Sequence, residues 1–338
     1  VYKRQVYGWQ AHTLSPTVEI EPLPPPEPYS RWHPFRREWV TYAANRQART
    51  FKPPAEYCPL CPTLAGGFAG EIPFAEFEVA VFENRFPAFH PEAPEPPALP
   101  VETAAARGSC EVLVFTPAQY GNLAELSQAR RELLVHAWAD RYVELLARDD
   151  VQCVLPFENK GEEVGVTLHH PHGQIYAFPY VPPVQQAAAA TFREGPGLAR
   201  LLDRMGDAYT IAARGSMVAF VPPFARFPYE VWIAPRRPVA GPWDFTTEEV
   251  ADFAALLGET VARYDALFDR PFPYILSLHA APKGEEETFH FHAQFYPPLR
   301  TAEKLKYLAG VEQAGGAFLV DALPEETAAQ LRALALDR

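Results

Sequence analysis

The chain has 338 residues, 48% of them hydrophobic and 21% charged, with 30 Lys and Arg against 42 Asp and Glu and a net charge of −12. That is length for about two domains, apolar enough for a buried core, yet no stretch reaches the ~20 apolar residues of a membrane span, and Val1 to Gln10 lacks the apolar core of a secretory signal. The acidic balance excludes a general nucleic-acid binder but not a small anionic substrate, because charges are screened beyond ~8 Å and local Arg and Lys set the field.

In chain order, the first marked feature is Cys58-Pro59-Leu60-Cys61. Two thiolates three residues apart chelate zinc well, and His170 is a candidate third ligand; two packed core thiols or a redox pair are the alternatives. Only four cysteines occur in the whole chain. They are too few for a disulfide framework, so a cytoplasmic location is expected. The proline-rich stretch 91–100 reads as a stiff connection. Next comes a strand candidate, Glu111 to Phe115, and then a helix candidate over residues 123–147, where Leu126, Leu133, Leu134, Ala137 and Trp138 fall on one face.

Residues 157–161 (Phe-Glu-Asn-Lys-Gly), followed by Gly165 and Thr167, form a glycine-rich loop whose backbone N–H groups suit phosphate oxygens. The run His169-His170-Pro171-His172-Gly173-Gln174 follows at once. If it is a strand, His170, His172 and Gln174 share one face. Pro171 lacks a ladder donor, which predicts an edge strand or an irregularity there. Gly173 allows close approach by a second backbone or a ligand. Three clustered histidines and a glutamine after such a loop point to phosphoryl chemistry rather than to a structural histidine pair.

The motif recurs as His290-Phe291-His292-Ala293-Gln294, 120 residues later. Asn159 stands 13 residues before His172, as His279 stands 13 before His292, and Glu230 to Pro235 echoes Glu111 to Pro117 at an offset of 119. A second helix candidate, residues 246–267, opens on Thr246 as N-cap with Glu248 and Glu249 in its first turn. The pattern predicts an α+β chain of two duplicated halves, residues 1–181 and 182–338, each with an antiparallel sheet and a packed helix.

With these motifs, FENKG ahead of HHPHGQIY, YCPLC upstream and FHAQFYPPL downstream, the chain resembles the galactose-1-phosphate uridylyltransferase family of the histidine-triad (HIT) superfamily, from about Trp32 to its C-terminus. The resemblance implies two HIT-like halves, a homodimer, and transfer of UMP between UDP-glucose or UDP-galactose and hexose 1-phosphates in galactose metabolism. By that resemblance His172 is the nucleophile and Gln174 holds phosphoryl oxygens. Asn159, Gly161 and Thr167 surround the phosphates. Leu60, Phe82, Asn84, Phe86 and Val112 form the nucleoside pocket. Arg46 with Arg49, and Lys306 with Glu312, face the substrate from the partner subunit. Zinc is expected on Cys58, Cys61 and His170, with the fourth ligand unassigned because Gln119 stands where related bacterial chains carry a His. The family's second metal site uses a Glu and three His. Here His279 and His292 remain, but Gln294 and Ala188 replace the other two, so that metal is expected to be absent. Arg85 replaces an Asp beside the pocket. A nucleotide-sugar phosphorylase of the ADP-glucose type and a non-catalytic nucleotide-sugar binder are the alternatives.

Overall fold

The computed structural model describes residues 4–10, 14–18, 26–48, 57–67 and 69–336. Arg49 and the first three residues lie outside them. The strands of the first half are β1 (Arg4–Tyr7), β2 (Tyr29–His33), β3 (Glu38–Tyr42), β4 (Val79–Glu83), β5 (Thr103–Ala105) and β6 (Ser109–Val114). Helix α1 (Gln128–Leu146), β7 (Cys153–Lys160) and β8 (His172–Phe178) follow, then helices α2 (Pro183–Arg193) and α3 (Gly197–Met205). The second half continues with β9 (Thr210–Arg214), β10 (Met217–Phe220), β11 (Val231–Pro235), α4 (Thr247–Leu267), β12 (Tyr274–His279) and β13 (His292–Tyr296). It ends with α5 (Gly310–Gly315) and α6 (Pro324–Ala333).

Ten strands form one antiparallel sheet in the order β1-β4-β6-β8-β7-β12-β13-β11-β10-β9. Outward from the central β7–β12 pair, the sheet reads the same in both directions: β8 answers β13, β6 answers β11, β4 answers β10 and β1 answers β9. The repeat legible in the sequence is therefore a repeat of topology. The expected separate sheets are instead one, because Ile275 of β12 pairs with Asn159 of β7 and Leu276 with Glu158, which fuses the two halves edge to edge. Such fusion removes two exposed strand edges, each a row of unpaired backbone groups. A small sheet, β3-β2-β5, stands apart.

Helices α1 and α4 pack against each other and cover one face of the large sheet. Leu134 and Trp138 of α1, Phe253 and Leu257 of α4, and Ile175 and Phe295 from the strands share this core. Truncating Trp138 to Ala costs about 3–5 kcal/mol there, through lost transfer energy and the cavity left behind. Helix α1 begins later than its periodicity predicts. Ser127 caps it by accepting the Arg130 N–H at 3.2 Å, while Leu123 and Leu126 sit in the turn before it. Helix α4 starts as expected, with Thr246 and Glu249 forming a reciprocal capping box. Beneath β6, buried Arg141 of α1 grips Glu111 with two hydrogen bonds, 2.9 and 2.8 Å, so the strand next to β8 is tied to the helix layer.

Burial alternates along β8. Gly173, Ile175 and Ala177 face the helices, while His172, Gln174, Tyr176 and Phe178 lie half-buried on the opposite face. Of the two expected outcomes, an edge strand or an irregularity, the structure has the second: β8 runs between β6 and β7, a bend stands at His170, and the regular strand starts only after Pro171. Pro171 stands just before its first residue, where a missing ladder donor costs nothing, and the Pro171 carbonyl accepts from Phe115 N at 3.0 Å. Gly173 answers a close backbone: a Cβ there would lie 2.8 Å from the Phe157 carbonyl oxygen of β7.

Candidate active site

His172 opens β8, and its Nδ1 donates to the backbone carbonyl of His170 at 2.6 Å. That bond places the proton on Nδ1 and the lone pair on Nε2. A half-buried imidazole with its lone pair directed away from the bonded carbonyl has the geometry that nucleophilic attack requires. His170 does not share this geometry. It precedes the strand in a bend, is 1% exposed, and turns its ring toward the cysteines. The expectation that it projects beside His172 is corrected by the end of the β geometry at Pro171.

Gln174 lies two residues on, on the same face. Across the sheet its neighbours are Val112 and Phe157, and beyond Val112 stands Phe82. Asn84 Nδ2 donates to Gln174 Oε1 at 3.4 Å, while Asn84 Oδ1 accepts the Phe86 N–H at 2.9 Å. Holding the glutamine by its oxygen presents its amide hydrogens, which suit anionic oxygens. Leu60 and Phe82 are buried in one small cluster, with Val112 packed against it, so three of the expected nucleoside residues are brought together. Arg46 reaches this face within its own chain, donating to Tyr176 Oη at 3.0 Å and to the Phe86 carbonyl at 3.2 Å. Tyr176 is a site-face residue that the sequence reading passed over. Its position two residues after Gln174 on a strand was the available signal.

Cys58 Sγ and Cys61 Sγ lie 3.3 and 3.6 Å from His170 Nδ1. These three donor atoms are within 4.8 Å of one another. The separations match the ~3.5 Å edge of a tetrahedron built with zinc–sulfur and zinc–nitrogen bonds of about 2.3 and 2.0 Å. His170 Nε2 donates to the Thr116 carbonyl at 2.7 Å, which leaves Nδ1 unprotonated toward the thiols. Burial pushes His170 down to about 4, the carbonyl only partly offsetting it, so the ring is neutral at pH 7. Burial and the neighbouring Cys58 push the Cys61 thiol up to about 12. A dication would reverse that penalty and take the thiolates. The donor set therefore fits zinc. Gln119 is half-buried three residues past Thr116.

The end of β7 and the loop from it to β8 carry the phosphate candidates, Asn159 on the strand and Gly161 and Thr167 in the loop. Asn159 and Thr167 are half-buried. Gly161 has φ +101, and a Cβ there would meet Pro273 at 2.6 Å, so the backbone conformation and the second-half neighbour both demand glycine. Lys160 Nζ bonds Asp265 Oδ1 of α4 at 3.1 Å and anchors the loop to the helix layer. Lys306 and Glu312 are brought to each other, 3.2 Å apart on the C-terminal segment, and the contacts they make do not reach β8. Arg85 pairs with Glu71 at 3.1 Å on the surface.

The second half repeats this wiring. His290 Nε2 donates to the Pro235 carbonyl at 2.7 Å, and His292 Nδ1 donates to the His290 carbonyl at 2.8 Å. There, among the described residues, His290 Nδ1 meets no thiol and has no hydrogen-bond partner, and His292 is enclosed at 2% exposure between the Trp232 and His279 rings. Among the described residues, the combination of a half-buried imidazole, His172, with a histidine beside two thiols, His170, thus occurs in the first half and not in the second.

Residues 18–182 match the family described as galactose-1-phosphate uridyl transferase, N-terminal domain, and residues 203–338 match its C-terminal domain. The chain is 38% identical over 317 residues to the galactose-1-phosphate uridylyltransferase of Thermotoga maritima, covering 89% of this chain and 97% of that one. It is 35% identical over 277 residues to the enzyme of the same name from Streptomyces lividans, covering 76% and 73%. A solved uridylyltransferase structure superposes with a TM-score of 0.80 at 32% identity, covering 90% of this chain and 97% of that one. With matched domains spanning most of its length and relatives above 30% identity, the chain belongs to the galactose-1-phosphate uridylyltransferase family.

Proposed function

We infer that the protein exchanges UMP between UDP-glucose and galactose 1-phosphate through a covalent uridylyl group on His172. The observation that carries this reading is the 2.6 Å bond from His172 Nδ1 to the His170 carbonyl, which commits the Nε2 lone pair to the site face. Nε2 attacks the α-phosphorus of UDP-glucose. The P–N bond forms as the bond from that phosphorus to the bridging oxygen breaks, and glucose 1-phosphate leaves with the electron pair. The imidazole ring gains positive charge as this happens, and the carbonyl that holds the Nδ1 proton lies where it stabilises that charge. A phosphate oxygen of galactose 1-phosphate then attacks the same phosphorus. The P–N electrons return to Nε2, and UDP-galactose departs. Both leaving groups are stable without added protons, so no general acid is needed.

Gln174, held by Asn84, donates to the non-bridging oxygens in both the diester and the adduct. A neutral amide binds the two states without trapping either, which a reversible exchange requires. Arg46, Asn159 at the end of β7 and the loop bearing Gly161 and Thr167 supply further donors to the phosphates, with Leu60, Phe82, Phe86 and Val112 around the nucleoside. Zinc on Cys58, Cys61 and His170 acts as a structural clamp when bound. The chain's own contribution there is the Thr116 carbonyl, which orients His170 and with it the carbonyl that His172 uses.

The reading includes a cytoplasmic homodimer. The four cysteines are free thiols, and among the described residues no helix is long and apolar enough to cross a membrane. The segment bearing Lys306 and Glu312 exposes Tyr307, Val311 and Leu319, a surface that a second copy would cover. Sedimentation at micromolar concentration tests the dimer. Initial rates with both substrates varied test the mechanism: parallel double-reciprocal lines are expected, and intersecting lines would rule out the covalent exchange.

A further inference from the structure

The second half holds a cavity of about 510 Å³ on the sheet face that answers the candidate active site. Helices α2 and α3 roof it, through Val184, Phe192, Leu198 and Leu201, and the strands β11, β12 and β13 floor it. Its volume lies within the ~300–1,000 Å³ of small-molecule sites. On the floor, Trp232 pairs with Gln294 across β11–β13, and His292 pairs with His279 across β13–β12. The Trp232 and His292 rings stack at 4.7 Å and 15°, and the His292 and His279 rings at 5.1 Å and 5°.

Most polar groups of the cavity are committed to the protein. Glu230 accepts from Trp232 Nε1 at 2.8 Å and from the backbone N–H groups of Arg226 and Phe227 at 2.7 and 3.3 Å. His279 bonds Ser277 Oγ at 2.8 Å through Nε2 and Gln185 at 3.4 Å through Nδ1. The Arg226 guanidinium lies over the Tyr296 and Phe318 rings. Beside that cation, two neutral functions are left over. His292 gives its Nδ1 proton to the His290 carbonyl, so Nε2 is an acceptor. Gln294 accepts the Tyr296 hydroxyl at Oε1, so its Nε2 hydrogens are donors that form no hydrogen bond among the described residues. These residues stand two apart on one strand, on the same face.

From an aromatic-walled cavity whose remaining neutral polar groups are one acceptor and one donor two residues apart on one strand, we infer a second ligand site. It takes an uncharged planar heterocycle with a lactam edge, a ring N–H next to a ring C=O, as in uracil. The N–H answers His292 Nε2, the C=O answers Gln294 Nε2, and the ring lies among Phe192, Phe224 and the leucines of α3. An ionised ligand is disfavoured because the two charged groups of the wall, Arg226 and Glu230, act on each other and leave no net charge to answer it. The site binds without chemistry, and the inference stands independently of the uridylyl exchange.

The test is to soak crystals of the intact protein with 5-bromouracil and locate bromine by anomalous scattering, with equilibrium dialysis of uracil in solution. A peak between α3 and β13, and uracil binding that weakens at least about tenfold in Gln294→Leu and for cytosine against the unchanged protein, are expected. Leu201→Trp, which fills the cavity from its roof, should abolish the same peak and guards against a Gln294 variant that folds poorly. Bromine only on the β8 face, or nowhere, overturns the inference and leaves the exchange reading intact. Equal binding of cytosine and uracil overturns it as well, since apolar filling alone would then account for the ligand.

Discussion

The carbonyl of His170 holds the Nδ1 proton of His172 at 2.6 Å, and the carbonyl of His290 holds that of His292 at 2.8 Å. One hydrogen-bond device thus occurs twice in the sheet, with the same imidazole orientation and different burial: His172 is half-buried, and His292 is 2% exposed beneath α2 and α3.

Replacing His172 with Gly should reduce uridylyl exchange by at least ~10³-fold, because the covalent step loses its nucleophile. Folding should change little: the side chain lies on the half-buried site face, and a strand glycine costs roughly 0.5–1 kcal/mol. Rate assays beside thermal melts check both parts. Near-normal turnover would remove His172 from the chemistry.

Gln174→Ala should lower kcat more than Asn84→Ala, by about 10²-fold against about tenfold, since Asn84 acts on the phosphoryl group mainly through the glutamine it holds. In the double variant the losses should fall short of additive, as for residues that share a partner. Full additivity in a double-mutant cycle would show that the 3.4 Å contact does not couple them.

Elemental analysis of protein purified without chelator should find one zinc per chain, lost in Cys58→Ser and Cys61→Ser. The variants should melt several degrees lower, because binding free energy at such a site is also folding free energy. Fully active, equally stable protein without zinc would reduce Cys58 and Cys61 to packing residues.

Glu158 gives stability a pH dependence. Burial on β7 pushes its carboxyl up to about 8 from the ordinary 4.5, with the Tyr274 hydroxyl and Lys160 offsetting only part of the effect. Between those values the folded chain holds the proton and the unfolded chain does not. Stability from this group is therefore full below about pH 4.5 and falls, by at most ~1.4 kcal/mol per pH unit, until the pH passes about 8. Glu158→Gln should be the more stable protein at pH 9, and the two denaturation curves should converge toward pH 5. Curves that run parallel across this range would contradict the shifted carboxyl.

Much of this arrangement was legible in the sequence, because each duplicated H-x-H-x-Q segment leads into a strand, β8 from His172 and β13 from His292, and marks it with polar side chains. The offset of 119 between the strands before the helices reappears in space: the Thr116 and Pro235 carbonyls, 119 residues apart, receive the matching His170 and His290 rings. The carbonyls themselves were not legible, since a backbone acceptor leaves no mark on residue identity. Strand β9 (TIAAR), exposed at its end, lacks the clean alternation that marks a strand. Helix α2 carries four alanines in a row, so its buried stripe of Gln185, Ala189 and Phe192 gives little periodic signal. The fusion of both halves into one sheet depends on pairing between β7 and β12, more than a hundred residues apart, which neither strand announces alone.

The central claim is most directly tested by incubating the protein with UDP-glucose alone and measuring its intact mass, with ADP-glucose in parallel. The account predicts a mass increase of one uridylyl group, mapped by peptide sequencing to His172 and lost on adding galactose 1-phosphate. No adduct from folded protein, or an adenylyl group in its place, would contradict it.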